Sequence, residues 1–464
     1  MKMTVKKSTA ALLATGLFAF SSAAMATNGY FTHGVGAESK AMAGASVGSS
    51  QNMGAIAAAT NPALTVFSDD KWQVGLAVFS PSRSYTTSDS LANGQGGAFT
   101  LSQGSYDSKN EAFPIPYVAK NWKLANDKAL TFIFYGRGGM NTEWDSGQSA
   151  LFDPTGQGGQ PVSMPGLFGG GKAGVDLMQA FMSISYAGKV GDSFSWGIGP
   201  VVALQSFEAT GVVMFSGYTE TFANAFLENG VGAPVENLTN NGHDTSVGYG
   251  ASVGFWTGSD TVSFGLAYQT KMSMDEFSDY ADLYAQKGGF DIPSTLKAGL
   301  SFKVADDMTF NVDYERIGYS DIDSVANPIG NLLSSCFTAN PQAFPATNGC
   351  LGGPDGAGFG WEDMTVYKFG LAWSADDKNT WRFGYSYGEQ PIPESEVLFN
   401  IMAPGVMEQH FTVGWTSERA NGNVMSLALM YAPSKEIAGT SPFDPTQTIE
   451  LEMSQLELEF AYRF

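Results

Sequence analysis

Three histidines and two cysteines in 464 residues leave little with which to hold a metal or run imidazole chemistry. His33, His243 and His410 lie far apart, and no Ser-His-Asp or metal-ligand spacing surrounds them. Basic residues are also scarce: 24 Lys and Arg stand against 45 Asp and Glu, a formal charge of -21. Lys2, Lys6 and Lys7 sit in the first stretch, so the remainder is more acidic still. Such a surface repels phosphate and excludes nucleic acid as a partner. No run of 18 apolar residues follows the N-terminal stretch, which excludes a membrane helix in the mature chain. Gly166 to Lys172 spells the start of a phosphate-binding loop, but Ala173 stands where Ser or Thr must hold magnesium. Neither an enzyme nor a cofactor is expected.

What is abundant is glycine, 56 residues, and aromatic side chains, 13%. Their arrangement is period two. At the end of the chain Leu456, Leu458, Phe460, Tyr462 and Phe464 alternate with Gln455, Glu457, Glu459, Ala461 and Arg463. Tyr367, Phe369, Leu371 and Trp373 oppose Lys368, Gly370 and Ala372 in the same way, and Phe310, Val312 and Tyr314 oppose Asn311, Asp313 and Glu315. A sandwich would turn the charged face to solvent; a membrane barrel would turn it to a wet lumen and the apolar face to lipid. Connection lengths decide between them. About fourteen candidate strands run from 71–80, 113–123, 129–144, 176–189, 193–212, 246–258 and 261–277 to 292–304, 308–319, 364–374, 380–388, 408–417, 423–434 and 450–464. Short connections alternate with long ones, the long ones at 83–110, 145–174, 214–245, 278–290, 321–361, 390–407 and 437–449. Short periplasmic turns facing long outer loops mark an outer-membrane barrel. The fold class is therefore all-β, a transmembrane antiparallel β-barrel of about fourteen strands crossing the bacterial outer membrane.

Three segments are expected. Residues 1–26 read as a secretory signal, with a basic start, an apolar core and the small-x-small site Ala24-Met25-Ala26. Residues 27–70 are rich in alanine and glycine, and suit short helices packed closely inside the barrel as a plug. Residues 71–464 form the barrel. Cys336 and Cys350, close in sequence in an oxidising compartment, are expected to pair, with a gain of about 3 kcal/mol in the chain-entropy model. Tyr30 and Phe31 either anchor the plug to the wall or close an apolar pocket. Gly136, Gly138 and Gly139 interrupt the third strand, as a bulge or kink or as lumen-side room for the plug. Residues 221–227 read as a short amphipathic helix on an outer loop. Lys297, Lys303, Lys368, Arg382 and Arg463 project inward, to meet an anionic head group or lumen carboxylates. Asp275, Glu276, Asp279 and Asp282 form a solvated loop or a site for cations that bridge lipopolysaccharide.

Further sequence elements carry a family likeness. They are Asn28-Gly29-Tyr30-Phe31, Lys40-Ala41-Met42-Ala43-Gly44, Asn61-Pro62-Ala63-Leu64, Trp361-Glu362-Asp363, Trp381-Arg382-Phe383, Gln390-Pro391-Ile392-Pro393 and the final Phe460-Ala461-Tyr462-Arg463-Phe464. Through them the chain resembles the FadL/TodX family of outer-membrane transporters for hydrophobic compounds. The resemblance implies a fourteen-strand barrel closed by an N-terminal hatch, with Gly34, Gly36, Lys40, Gly44, Asn61 and Pro62 in the hatch. It implies passive uptake of long-chain fatty acids or similar molecules. The solute would bind near the outer loops, pass to a pocket touched by Tyr30 or Phe31, and leave sideways at the kink of Gly136, Gly138 and Gly139. Alkanes and aromatic hydrocarbons remain alternatives, because the family's head-group residues do not map onto this chain and the Cys-bearing loop is an elaboration. The expected partners are a hydrophobic small molecule (fatty acid or hydrocarbon), outer-membrane lipid and lipopolysaccharide, and the barrel-assembly machinery. The rival functions are a general porin and an outer-membrane lipid hydrolase, the latter needing a lipid-facing Ser-His pair on neighbouring strands.

Overall fold

The computed structural model describes residues 27–125, 127–336 and 347–464, so the expected signal segment lies outside the described residues. Fourteen antiparallel strands close into one cylinder. They are β1 (Trp72–Thr87), β2 (Phe113–Leu124), β3 (Lys128–Trp144), β4 (Ala173–Val190), β5 (Phe194–Thr210), β6 (Asp244–Gly258) and β7 (Val262–Gln269), followed by β8 (Thr295–Ala305), β9 (Met308–Ile317), β10 (Met364–Ser374), β11 (Asn379–Gly388), β12 (Gln409–Glu418), β13 (Val424–Ser441) and β14 (Asp444–Arg463). Each pairs with the next, and β14 closes on β1 in a ladder from Gln73↔Arg463 to Thr87↔Ile449.

The alternation sorts side chains as a cylinder requires. On β14 Leu458 is 53% exposed on the outer wall while Glu457 is 2% exposed in the lumen. Outward-facing rings gather in two girdles. Trp72, Trp122, Trp373 and Trp381 stand at the short-turn end, and Tyr249, Tyr268, Tyr367, Tyr387 and Tyr431 at the long-loop end. Trp373 and Tyr367 are six residues apart on one strand, about 20 Å along it, which suits a bilayer's apolar layer.

Three expectations need correction. Residues 437–449 are not a loop: β13 and β14 run on to a tight hairpin at Pro442-Phe443. The ladder passes Pro433 through a register shift between Ala432 and Lys435, where a bulge tolerates the missing donor. The stretch 261–277 is not one strand either. β7 ends at Gln269, and Ser273–Met274 pairs separately with β6. Lys303 does not reach the closed lumen. It keeps the face of Lys297 and Ser301 but stands at the short-turn rim, in the last pair before the register shifts, where it is exposed and meets Asp306 at 3.1 Å. The outer-loop helix is present as Glu220–Asn229, capped by the Thr219 hydroxyl and ended by Gly230 in the left-handed region.

The lumen is filled by the chain's own N-terminal segment. It carries a helical turn (Ala37–Lys40) and two 3₁₀ turns, Ala55–Ala59 and Pro62–Phe67. Asn61 caps the last: its side-chain oxygen accepts from Ala63 N at 3.0 Å, and its amide donates to the carbonyls of Val47 and Phe255. Pro62 follows at the first helical position, where a missing N–H costs nothing. The wall holds this segment from many sides. Asp313 on β9 accepts from Ser46 N and Val47 N at 2.6 and 2.8 Å, Thr412 on β12 donates to Ala41 O, and Ser195 on β5 donates to Ala63 O. Close approach depends on a belt of cross-strand glycine pairs, Gly197↔Gly254, Gly265↔Gly299 and Gly370↔Gly384. A Cβ at Gly370 would lie 2.7 Å from Met42 Cβ, and one at Gly384 would collide with the Met42–Ala43 peptide. Gly384→Leu is therefore expected to weaken the seat of the segment by about 1–3 kcal/mol. Protease would then cut within residues 37–67 at lower temperature, while the strands keep their heat-modifiable migration on gels.

Candidate functional site

The wall is incomplete beside β3. The β2–β3 ladder starts at Leu124↔Lys128 and stops at Tyr117↔Tyr135. Just beyond, the β3–β4 register shifts between Gly136 and Gly138, leaving Arg137 as the extra residue of a bulge. The edge of β3 turned toward β2 next meets a backbone donor from that side at Glu143, whose carbonyl takes Lys109 N. Residues 30–32 occupy this edge from inside. Gly139 N donates to Tyr30 O at 3.0 Å, Thr32 N donates to Arg137 O at 2.9 Å, and Phe31 bridges Gly138. A Cβ on Gly138 would lie 3.2 Å from the Phe31 ring and collide with the Gln179 side chain, so only glycine leaves the N-terminus room there.

Tyr30 is fully buried in a cluster of rings. Its centroid lies 4.9 Å from Phe31, 5.1 Å from Tyr319, 5.8 Å from Trp361 and 6.1 Å from Phe290. The Tyr319 hydroxyl fixes the turn by donating to Asn28 O at 2.6 Å and accepting from Tyr30 N at 3.2 Å. Burial raises the pKa of the Tyr30 phenol, so the ring stays neutral.

Two apolar cavities flank this cluster. The first lies among the outer loops and is lined by Phe168, Val175, Phe215, Tyr284, Phe359 and Met402 among others. The second, smaller, lies against the incomplete wall between Phe79, Pro81, Met140, Trp361, Pro404 and Met453, with Arg83 and Asn141 as its polar members. Trp361 and residues 400–405 divide the two. Trp361 Nε1 donates to Asn400 Oδ1 at 2.6 Å, Thr142 Oγ1 to Met402 O at 2.8 Å and Trp144 Nε1 to Ile401 O at 3.2 Å. The divider is thus tied to the upper part of β3.

Charge is gathered under the rings. Arg137, Lys297 and Lys368 converge on Glu315 at 3.8, 3.6 and 2.6 Å. The Arg137 guanidinium also lies 4.3 Å from the Phe31 ring centre. Lys368 donates to His33 O at 2.7 Å. Burial, then the neighbouring His410 and Lys40, hold the His33 imidazole well below its usual pKa, so it is neutral.

The residues singled out in the sequence separate into groups. Tyr30, Phe31, Gly136, Gly138 and Gly139 meet at the wall gap. Gly34, Gly36, Lys40 and Gly44 lie deeper in the lumen: Lys40 pairs with Glu457 and, at 2.8 Å, with Glu459, and Gly44 packs on His33 with φ +87°. Asn61 and Pro62 form the cap already described. Cys336 and Cys350 are bonded to each other and pack near Ala223 and Tyr218 in the outer loops. The acidic group does not converge: Asp282 is buried and accepts from Thr221 Oγ1, whereas Asp275, Glu276 and Asp279 are exposed. Sequence reasoning missed Arg137, whose one signal was a charge inside a glycine run. It also missed a Ser-His pair. Ser386 Oγ lies 3.0 Å from His410 Nδ1 on the neighbouring strand. That pair faces the lumen, not lipid. His410 is buried and stacked on His33 rather than solvated, and its Nε2 has no partner among the described residues.

The profile of the family described as outer membrane protein transport protein (OMPP1/FadL/TodX) matches residues 12–442. Among solved structures, the toluene transporter TodX of Pseudomonas putida is similar over 93% of this chain and 98% of its own, at 16% identity and a TM-score of 0.58. A FadL homologue of Pseudomonas aeruginosa is similar over 94% and 98%, at 14% identity and 0.60. The toluene transporter TbuX of Ralstonia pickettii is similar over 93% and 98%, at 15% identity and 0.55. No curated protein matches the chain by sequence.

Proposed function

The chain belongs to the outer membrane protein transport protein family (OMPP1/FadL/TodX), and from that premise we propose that it takes up long-chain fatty acids, or hydrophobic molecules like them, by passive diffusion with sideways release into the bilayer. The observation that carries this reading is the succession of two apolar cavities, the second ending at a wall gap that residues 30–32 fill from inside. A solute would collect in the outer cavity, displace the Trp361 and Met402 divider, and reach the Tyr30 cluster. Withdrawal of residues 30–32 from Arg137 and Gly139 breaks two hydrogen bonds and opens the gap. Apolar solute then partitions into lipid without crossing a polar lumen.

The fatty-acid preference rests on charge. Arg137, Lys297 and Lys368 carry three positive charges around Glu315. Phe31 shields Arg137, so movement of the N-terminus would present a guanidinium to a carboxylate head group. In this reading residues 27–70 act as a hatch and residues 71–464 as the barrel. A hatch in the bore favours this over a general porin.

The reading is tested by expressing the chain in cells that lack their own fatty-acid channel. Labelled oleate should accumulate, and proteoliposomes should not swell in sugars; sugar flux without oleate uptake contradicts it. At the gap, Gly138→Trp with Gly139→Leu should slow oleate uptake about tenfold without abolishing binding to purified protein. Unaltered uptake in that variant moves the exit elsewhere.

A further inference from the structure

Arg83 projects from β1 into the second cavity, at the edge of the wall gap. The residue is 3% exposed. Nη1 donates to the carbonyl of Asn141 on β3, and Nη2 donates to that of Asn110, on the segment that leads into β2. Nε has no hydrogen-bond partner among the described residues. Lys40, Arg137, Lys297 and Lys368 each have a carboxylate at hand, but among the described residues Arg83 has none within ion-pair distance. Exposed Glu111 acts on it only at longer range. The guanidinium lies 5.5 Å from the Phe113 ring centre, and the cavity that Arg83 enters is lined by Phe79, Pro81, Met140, Trp361 and Met453. A buried cation held by neutral carbonyls in an apolar cavity is short of one anion.

We propose that this cavity is an exit-side binding site for the carboxylate of an amphipathic solute such as a long-chain fatty acid, with Arg83 as the group that receives it. The planar fork matches a carboxylate in bidentate geometry, and the apolar walls accept the start of the alkyl chain. Arg83 is also a tie at the edge of the gap, since it joins β1 to β3 and to the segment 104–110, whose residues 104–107 pair with β1 and whose Ser108 N donates to Arg83 O. A carboxylate that takes the fork releases the carbonyls of Asn110 and Asn141. Arrival of the solute thus loosens the wall at the point of exit. A neutral hydrocarbon has no such handle. Arg83 therefore sets a preference for acids over hydrocarbons.

This inference rests on the transport reading above, and the experiment separates the two. Full-length protein in detergent is titrated with bromine-labelled dodecanoate and with bromododecane. The reported signal is the part of the tryptophan quenching that Trp361→Phe removes. Arg83→Gln should weaken dodecanoate binding about tenfold and leave bromododecane unchanged, and it should slow dodecanoate uptake by cells in proportion. Arg83→Lys keeps the charge without the fork and should fall between. It keeps the test open if the glutamine variant fails to fold. Equal losses for both probes, no loss for either, or a lysine variant equal to the parent overturn the proposal. If the parent protein carries neither solute into cells, the transport reading fails, and the binding titration still decides the site.

Discussion

Deletion of residues 27–36 is expected to cut uptake of a long-chain fatty acid about tenfold or more while the cylinder still folds. The deleted stretch supplies Tyr30 and Phe31, and with them the ring contacts to Tyr319, Trp361 and Phe290. Each such pair contributes about 0.5–1.5 kcal/mol beyond the area it buries. Losing several removes one wall of the pocket in which the solute would be held before release. The gap is then open, but an exit without a collecting site gains little flux. The strands do not depend on the stretch, because their ladders close without it and residues 30–32 give the wall only two backbone bonds. Oleate uptake, read beside heat-modifiable migration, checks both halves. Unchanged uptake by a folded barrel would count against any role of the N-terminus in transport.

Lys40→Met is expected to turn a closed channel into a leaky one. Lys40 is the point where the N-terminal segment meets two carboxylates of β14, Glu457 and Glu459, all buried. Removing one partner from a buried ionic group costs about 3–5 kcal/mol, because the remaining charges are left without compensation. Methionine fills much the same volume, so the loss is of charge and not of packing. The two carboxylates then repel each other and need water, which enters once the segment lifts. Sugar flux in liposome swelling should rise from the closed level toward that of a porin. Adding Glu457→Gln and Glu459→Gln should restore closure in part, since the bare charges are gone. No flux in the single variant would contradict the latch. The latch is not sensitive to ordinary pH. Burial opposes the ammonium charge, but Glu457 and Glu459 outweigh it and raise the Lys40 pKa above its usual 10.5. A raised value in the fold gives stability that is complete below the unfolded value and lost only as pH climbs through the folded one. Closure should hold across the neutral range.

The cylinder was legible because its signal is local. Leu458 beside Glu459 states inside and outside within two residues, and the rule repeats along strand after strand. The strand ends were not. Beyond the lipid layer the outer face need not be apolar, so the alternation of β13 past Pro433 loses its greasy partner and reads as loop. The extension of β1 to Thr87 was hidden for the same reason. Tyr30 and Phe31 stood out, since adjacent aromatics near a chain end must be buried somewhere. Their partners could not be read: Phe290, Tyr319 and Trp361 come from loops some 260 to 330 positions away, and only the closed sheet brings them together. Arg137 was obscured by the glycines around it, because a bulge breaks the period that assigns a side chain to one face. Arg83 did lie in the lumen register of Gln73, Ala77 and Phe79. What sequence could not give was its partners, the carbonyls of Asn110 and Asn141, which only the folded wall brings to it.

The account turns on residues 30–32 leaving the wall to let solute pass sideways, and a reversible tether tests it most directly. Phe31 and Gly138 face each other across an antiparallel bridge, so cysteines at both positions fall within reach of a disulfide. Oleate uptake is measured in the oxidised and reduced Phe31→Cys, Gly138→Cys protein. The parent, with its own Cys336–Cys350 bond, is treated alike. Uptake that stops on oxidation and returns on reduction is the predicted result. Equal uptake in both states, with the tether shown to be formed, would contradict sideways release at this gap.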